Sequence, residues 1–182
     1  RWPDEGWVKC LSVAADKAGW GSPLPRGRGR GIAISAFSMA GKPKSATIVC
    51  VVATVEVSRA GVLQVEALDI AFDSGGMLNR DSVASQIEGA AIFGLNLTLN
   101  EELTVKDGRI VEGNFDQYPM LRIGDIATTI NIHYEGLTGH ERFSKVGESP
   151  VGPIGPAIGN AIFAAIGKRL RTTPLRKQAL SW

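Results

Sequence analysis

The sequence predicts an α+β fold in which β-hairpins and strands pack against two long helices. The main observation is the order of the predicted elements, which runs helix, hairpin, helix, hairpin, strand, helix. The chain has 182 residues, of which 44% are hydrophobic and 21% are charged, as in ordinary globular domains. This length is sufficient for one domain with a substantial core.

The N-terminal part of the sequence predicts one helix, a basic loop and three strands. Residues 7–18 place apolar side chains on one stripe, and Gly19 after them is a typical helix end. Residues 19–31 are rich in Gly, Pro and Arg and predict a loop. Strands are predicted at residues 32–38, 46–58 and 62–72. The second strand is long and β-branched, which indicates a central position, and it forms a hairpin with the third.

The remaining elements alternate between helices and short strands. Asn79 is a suitable N-cap for a helix over residues 80–99, with Ser82 as a later alternative. The dipeptide Asp107-Gly108 between two short apolar runs predicts a tight hairpin. A strand at residues 129–134, an irregular segment at 136–156, a helix at 157–170 and an extended polar segment at 172–182 complete the prediction.

Two glycines lie inside the predicted helix over residues 80–99. Gly89 and Gly94 each cost about 1 kcal/mol relative to alanine, so we expect another backbone or a bulky ligand to approach the helix there. The alternative is ordinary helix–sheet packing. The Asn96-Leu97-Thr98 pattern fits N-glycosylation, but its helical position argues against modification.

The charge balance and the cysteines exclude several classes of protein. The net charge is +2, which does not indicate nucleic acid or an anionic membrane as an obligate partner. No apolar run approaches the roughly 20 residues that span a bilayer. Cys10 and Cys50 lie in apolar surroundings and predict buried thiols, and neither belongs to a C-x-x-C pair. This chain alone therefore cannot hold an iron–sulfur cluster or a tetrathiolate zinc site.

Most other polar residues predict structural or surface roles. The stretch Gly27–Gly31 lacks a phosphate-loop signature and predicts a basic loop. His133 lies in an alternating strand, where a structural role is favoured over metal binding, and His140 fits no metal-site spacing. The carboxylates predicted to be solvated at the surface are Asp69, Asp73, Glu101 and Glu102.

Glu148 is the one carboxylate in an apolar run from Val146 to Pro156 that contains three prolines and three glycines. Such a run predicts a stiff, irregular backbone path. A carboxylate with few polar neighbours is expected to have a raised proton affinity, as a general acid or base near neutral pH requires. From the residues alone, a catalytic role and a structural role both stay open.

Taken together, these segments resemble the C-terminal part of the molybdenum-binding subunit of the xanthine dehydrogenase/aldehyde oxidase family, of the isoquinoline 1-oxidoreductase β-subunit type. The resemblance covers roughly residues 26 to 175. The matching residues are Phe72–Gly75, Asn79, Gln86–Ala90, Ile92–Leu95, Lys106–Arg109, Asn114-Phe115, Tyr118–Arg122, Gly147-Glu148, Pro153-Ile154, Pro156–Ile158, Asn160–Ala165 and Gly167–Arg169.

The resemblance implies an enzyme that hydroxylates an aldehyde or an N-heteroaromatic substrate, with water as the oxygen source. It assigns Glu148 as the catalytic base beside molybdenum, and Gln86 as a residue that approaches the molybdenum cofactor in its cytosine dinucleotide form. The sequence departs from the family at Ser149 and Gly152, where prolines are usual, and over residues 37–45. These departures bear on the shape of the pocket and on the substrate.

The resemblance also implies partners, because the family's subunit is several times longer than this chain. We expect the remainder of the molybdenum-binding subunit and a [2Fe–2S] subunit, with residues 1–31 as an N-terminal helix and basic linker and residues 32–182 as a segment of the molybdopterin-binding domain. One alternative is a non-catalytic fragment that completes the fold of a multi-chain complex. Another is a basic nucleic-acid-binding module that uses Arg26, Arg28, Arg30 and residues 168–171.

Overall fold

The computed structural model describes residues 5–38, 46–134, 137 and 143–182, and it confirms the α+β class. His140 and much of the segment 37–45 lie outside these residues. The helices are α1 (Glu5–Lys17), α2 (Arg80–Leu99) and α3 (Val151–Ile166). The strands are β1 (Arg28–Phe37), β2 (Thr47–Val57), β3 (Leu63–Asp73), β4 (Val105–Lys106), β5 (Arg109–Ile110) and β6 (Thr129–His133).

One four-stranded sheet, in the order β1-β2-β3-β6, organises the molecule. The pairs β1–β2 and β2–β3 are antiparallel, whereas β6 runs parallel to β3. Helices α2 and α3 cover one face, where Val49 and Val51 point, and α1 covers the other face, where Cys50 and Val52 point. Because both faces are covered, β2 is apolar along almost its whole length.

The two cysteines are buried between the sheet and α1, as predicted. Cys10 Sγ donates to the carbonyl oxygen of Ala71 at 3.3 Å. Burial raises the pKa of the Cys50 thiol to about 12, and burial together with the neighbouring Cys50 raises the pKa of Cys10. Both thiols are therefore protonated structural groups at neutral pH.

The loop predicted for the basic stretch Gly27–Gly31 is largely wrong, because residues 28–31 form the first part of β1. Its glycines allow α3 to lie directly on the strand. A Cβ atom on Gly31 would lie 2.1 Å from the Ala161 nitrogen and 2.2 Å from the Ala157 oxygen, and one on Gly29 would lie 2.4 Å from the Ala161 oxygen. The glycines therefore serve close helix–strand approach and not a turn.

Helix α3 begins at Val151, six residues before the predicted start at 157. The prolines in this stretch had indicated an irregular path. The first four backbone N–H groups of a helix have no acceptor within it, so Pro153 in the first turn removes no hydrogen bond. The helix ends at Ile166, and Gly167 caps it with a φ of +72°.

Two elements with strong local signals agree closely with the sequence. Helix α2 has the predicted bounds, and the Asn79 side chain accepts a hydrogen bond from the Ser82 backbone N–H at 2.9 Å. The β4–β5 turn has positive φ at both Asp107 (52°) and Gly108 (73°), as a type I′ hairpin requires.

Residues 172–182 were predicted to be extended and polar, but the segment contributes to the core. Leu175 and Leu180 are buried, and Trp182 packs against the same cluster. Among the described helices, none is both long enough and apolar enough to cross a bilayer.

Candidate active site

The candidate site lies at the end of the sheet where Phe37 pairs with Thr47 and Ile48 pairs with Asp73. The segment 143–150 connects this end to the start of α3, and α2 begins beside it. The site is therefore built from one end of the sheet, the irregular segment 143–150 and the N-terminal halves of α2 and α3.

Hydrogen bonds, and not proline or glycine, hold the segment 143–150 on its path. The Ser144 backbone N–H donates to the Ser74 carbonyl at 3.0 Å. The Lys145 carbonyl accepts from the Thr47 hydroxyl at 2.6 Å and from the Ser149 hydroxyl at 3.4 Å. Most of the prolines and glycines that were expected to stiffen this path belong to α3 instead, namely Gly152, Pro153, Gly155 and Pro156.

Glu148 lies in the turn that leads into α3, and its carbonyl accepts from the Val151 N–H at 3.1 Å. Its side chain is exposed, so the prediction of apolar surroundings is wrong within this chain. The reason is that its apolar neighbours turn inward: Pro150 is buried and Val146 packs against the core. The Glu148 carboxylate makes no hydrogen bond to another described residue.

Gln86 lies in the second turn of α2 and is also exposed. A Cβ atom on Gly147 would lie 3.8 Å from Gln86 Oε1. The structure thus brings the two predicted site regions, Gln86 and Gly147-Glu148, side by side. In the described part of the chain, the Gln86 amide has no hydrogen-bond partner.

The α2–α3 contact fixes the spacing between these two regions. A Cβ atom on Gly94 would lie 2.9 Å from Ile154 Cγ1 and 3.2 Å from the Val151 oxygen, so Gly94 is a close-packing position, as predicted. The same prediction for Gly89 is wrong within this chain, because no described atom beyond its chain neighbours and the backbone of its own helix lies within 4 Å of its Cβ position. Gly89 faces outward on α2, near Gln86.

Two buried hydroxyl groups near the site were missed by sequence reasoning. The Ser74 and Tyr134 oxygens are buried without a hydrogen-bond partner among the described residues. Burial, together with the charge of Glu88, raises the pKa of Tyr134. Ser74 belongs to the matching stretch 72–75, which was the one available signal.

The carboxylates predicted at the surface are mostly engaged inside the chain. Asp69 is buried, and its Oδ1 lies 3.1 Å from Asn131 Nδ2 and 3.0 Å from His133 Nε2. Asp73 is buried and accepts from the Gly75 N–H at 2.9 Å. His133 therefore has the structural contact that its strand position predicted. The described residues contain no cluster of three or more His, Cys, Asp or Glu side chains that could hold a metal ion.

Buried Asn96 organises the region that follows α2. Its side chain donates to Glu101, and its Oδ1 accepts from the Leu121 N–H at 2.7 Å. Tyr118 also donates to Glu101, so this carboxylate is not a solvated surface group. The burial of Asn96 confirms that the glycosylation pattern is not an accessible acceptor.

The arginines in and beside the basic stretch form contacts with other residues of the chain. Arg28 forms an ion pair with Glu66 at 2.5 Å, and Arg30 donates to the Ser22 hydroxyl at 3.0 Å. The Arg26 guanidinium lies 4.8 Å from the centroid of the Trp182 ring. These contacts weaken the interpretation of the stretch as a nucleic-acid-binding surface.

Comparison with known proteins relates this arrangement to one class of cofactor domain. A family model described as a molybdopterin cofactor-binding domain matches residues 15–127, more than half of the chain. The chain is 38% identical, over 88% of its length, to a Gluconacetobacter polyoxogenes protein named membrane-bound aldehyde dehydrogenase (pyrroloquinoline-quinone). It is 34% identical, over 78% of its length, to the isoquinoline 1-oxidoreductase subunit beta of Brevundimonas diminuta.

A solved structure shares the fold. The aldehyde oxidoreductase from Desulfovibrio desulfuricans superposes with a TM-score of 0.60 at 26% identity, over 75% of this chain and 15% of that one. The chain spans 20% and 18% of the lengths of the two relatives above.

Proposed function

This chain belongs to the molybdopterin cofactor-binding domain family, and we propose that it is part of a molybdenum hydroxylase that oxidises an aldehyde or an N-heteroaromatic compound with water as the oxygen source. Glu148 is the catalytic base in this proposal, and Gln86 is a cofactor-binding residue. The observation that carries the proposal is the position of Gln86 beside Gly147-Glu148 at one end of the sheet. The two substrate classes follow the names of the relatives.

The residues at this end of the sheet fit a polar cofactor. Gln86 offers two N–H donors and a carbonyl acceptor, Glu148 offers acceptors, and neither side chain is used by another described residue. The molybdenum cofactor, when bound, would supply the redox chemistry and the oxygen-transfer centre. We propose the cytosine dinucleotide form, with the Gln86 amide hydrogen-bonded to the cofactor.

The chemistry assigned to this chain is proton transfer and positioning. The overall reaction converts a substrate C–H bond and one water into a hydroxylated carbon, two protons and two electrons. A Glu148 carboxylate oxygen accepts a proton that originates from water. The contact of α2 with α3 at Gly94 keeps Gln86 and Glu148 at a fixed spacing.

The proposal requires partner chains. Cys10 and Cys50 are buried in the core and cannot ligate an iron–sulfur cluster, so we propose that a [2Fe–2S] subunit receives the electrons. We also propose that the remainder of the molybdenum-binding subunit covers the outer side of α2. Gly89 is open there, and Phe93 and Leu97 are 51% and 36% exposed.

The test is Glu148→Gln in the complete enzyme that contains this chain. The change keeps the shape of the side chain and removes the base, so kcat is expected to fall by roughly 10²–10⁴-fold. Molybdenum content and thermal stability should stay unchanged, because the side chain is exposed. The matched control is Glu56→Gln, which alters an exposed carboxylate in β2 beside Val57, at the opposite end of the sheet.

Cofactor analysis of the same preparation separates this proposal from its alternatives. Molybdenum and a pterin, without pyrroloquinoline quinone, are the expected result. Finding the quinone alone would favour the cofactor in the name of the Gluconacetobacter relative. Finding neither cofactor would favour a non-catalytic fragment, and full turnover of a metallated Glu148→Gln enzyme would exclude the assigned base.

A further inference from the structure

We propose that Thr47 is a positioning residue for Glu148, acting through the backbone of the segment 143–150. This inference rests on the role proposed for Glu148. Thr47 is the first residue of β2 and is completely buried. It lies on the same face of the sheet as Val49 and Val51, where a valine would fit the apolar pattern.

Both hydrogen bonds of the Thr47 hydroxyl are formed with residues of this segment. Its oxygen lies 2.6 Å from the Lys145 carbonyl oxygen and 2.9 Å from Ser144 Oγ. A carbonyl can only accept, so the single hydroxyl proton of Thr47 is donated to Lys145 and the Ser144 hydroxyl donates to Thr47. A buried hydroxyl is costly unless it is hydrogen-bonded, and here both of its bonds reach residues shortly before Glu148.

The Lys145 carbonyl is also the point where the turn around Glu148 closes. The Ser149 hydroxyl, itself buried, donates to the same oxygen at 3.4 Å. Residues 145 and 149 are thus tied together, with Glu148 between them. The Lys145 ammonium group lies 5.3 Å from the centroid of the Phe37 ring, so a second contact holds this residue to the end of β1.

These contacts connect the sheet, through a series of hydrogen bonds, to the exposed carboxylate of Glu148. Thr47 fixes the Lys145 carbonyl, Ser149 closes the turn on it, and the Glu148 carbonyl accepts from Val151 at the start of α3. Without the Thr47 hydroxyl, the start of the turn loses its connection to β2. The carboxylate would then sample a wider range of positions relative to Gln86.

The experiment compares three threonine variants in the complete enzyme. Thr47→Val keeps the β-branched shape and removes the hydroxyl. We expect kcat to fall about 10- to 100-fold, as for a small misplacement of a catalytic group, with KM and molybdenum content unchanged. Thr47→Ser keeps the hydroxyl and restores most of kcat. The control is Thr54→Val, a buried threonine about 23 Å along the same strand, which leaves kcat unchanged.

Two further measurements make the outcomes distinct. Hydrogen–deuterium exchange at the Ser144 and Val151 amides should be faster in Thr47→Val and normal in Thr47→Ser. In a Glu148→Gln background, Thr47→Val should cause no additional loss of kcat. Equal losses in both backgrounds, or wild-type kcat and exchange in Thr47→Val, would overturn the inference. If Glu148→Gln stays active, the proposed catalytic role fails, and the exchange data alone decide whether Thr47 holds the segment.

Discussion

The two ends of the central sheet differ in whether other residues of the chain cover them. At the end near Val57, the Trp182 indole N–H donates to the Val57 carbonyl at 3.0 Å. The same ring lies 4.8 Å and 4.1 Å from the guanidinium groups of Arg26 and Arg59. At the end near Thr47, Gln86 and Glu148 point outward and make no hydrogen bond to another described residue. The end near Val57, the closed end, is thus covered by residues of this chain, whereas the end near Thr47, the open end, leaves the polar side chains of Gln86 and Glu148 exposed.

From this difference we expect stability to depend mainly on one end of the sheet and catalysis mainly on the other. Changes near the closed end should lower stability and leave kcat unchanged in the enzyme that does fold. At the open end, Glu148→Gln should lower kcat with little effect on stability, because the side chain is exposed, whereas Thr47→Val should lower kcat and cost about 1 kcal/mol for the lost buried hydrogen bonds. Substitutions at Gly31, Trp182 and Asn79 test that separation, in order of decreasing expected effect on stability.

The largest effect is expected for Gly31→Ala in β1. The added methyl group would lie 2.1–2.2 Å from backbone atoms of α3, so the helix has to move away from the sheet. Overpacking of this kind costs about 3 kcal/mol. The measurement is the soluble yield and melting temperature of the complete enzyme. Gly159→Ala in α3 is the control, because no described atom beyond its chain neighbours and the backbone of its own helix lies within 4 Å of its Cβ position. Equal behaviour of the two variants would contradict the packing argument.

A smaller effect is expected for Trp182→Ala at the closed end. The variant loses the hydrogen bond to Val57, two cation–π contacts and part of the packing. Because the ring is only partly buried, we expect a loss of about 2 kcal/mol. Trp182→Phe keeps an aromatic ring and loses the indole N–H donor, so a loss of about 1 kcal/mol is expected. Both variants should retain wild-type kcat and molybdenum content, and a loss of kcat comparable to that of Glu148→Gln would show that the two ends are not separable.

The elements that could be predicted from sequence are those with local causes. β2 is recognisable because its apolar run is unbroken, and α2 because Asn79 caps it. The basic stretch and the start of α3 were assigned wrongly, since glycine and proline serve helix packing there and not turns. Burial of Asp69 and the fold of residues 172–182 depend on contacts between distant residues, which local patterns do not contain.

The candidate site shows the same division. Composition and resemblance singled out Glu148 and Gln86, and the structure places their segments together. Thr47, Ser74 and Tyr134 were not identified, because their polar groups are informative only once their surroundings are known. The Thr47 hydroxyl, for example, bonds to a carbonyl 98 residues away in sequence.

The smallest effect is expected for Asn79→Ala, at the open end of the sheet. The change removes the side-chain acceptor of the Ser82 N–H and should cost about 1 kcal/mol, while Asn79→Ser keeps most of the cap. The loss is local to the first turn of α2, because Gly94 anchors the helix to α3 further along. We therefore expect faster hydrogen exchange at Ser82 and a melting temperature close to that of the wild type. A modest fall in cofactor retention is also expected, since Gln86 lies in the next turn of the helix, about two turns from the N-cap. A melting temperature lowered as far as in Trp182→Ala would mean that this end also carries the stability of the fold.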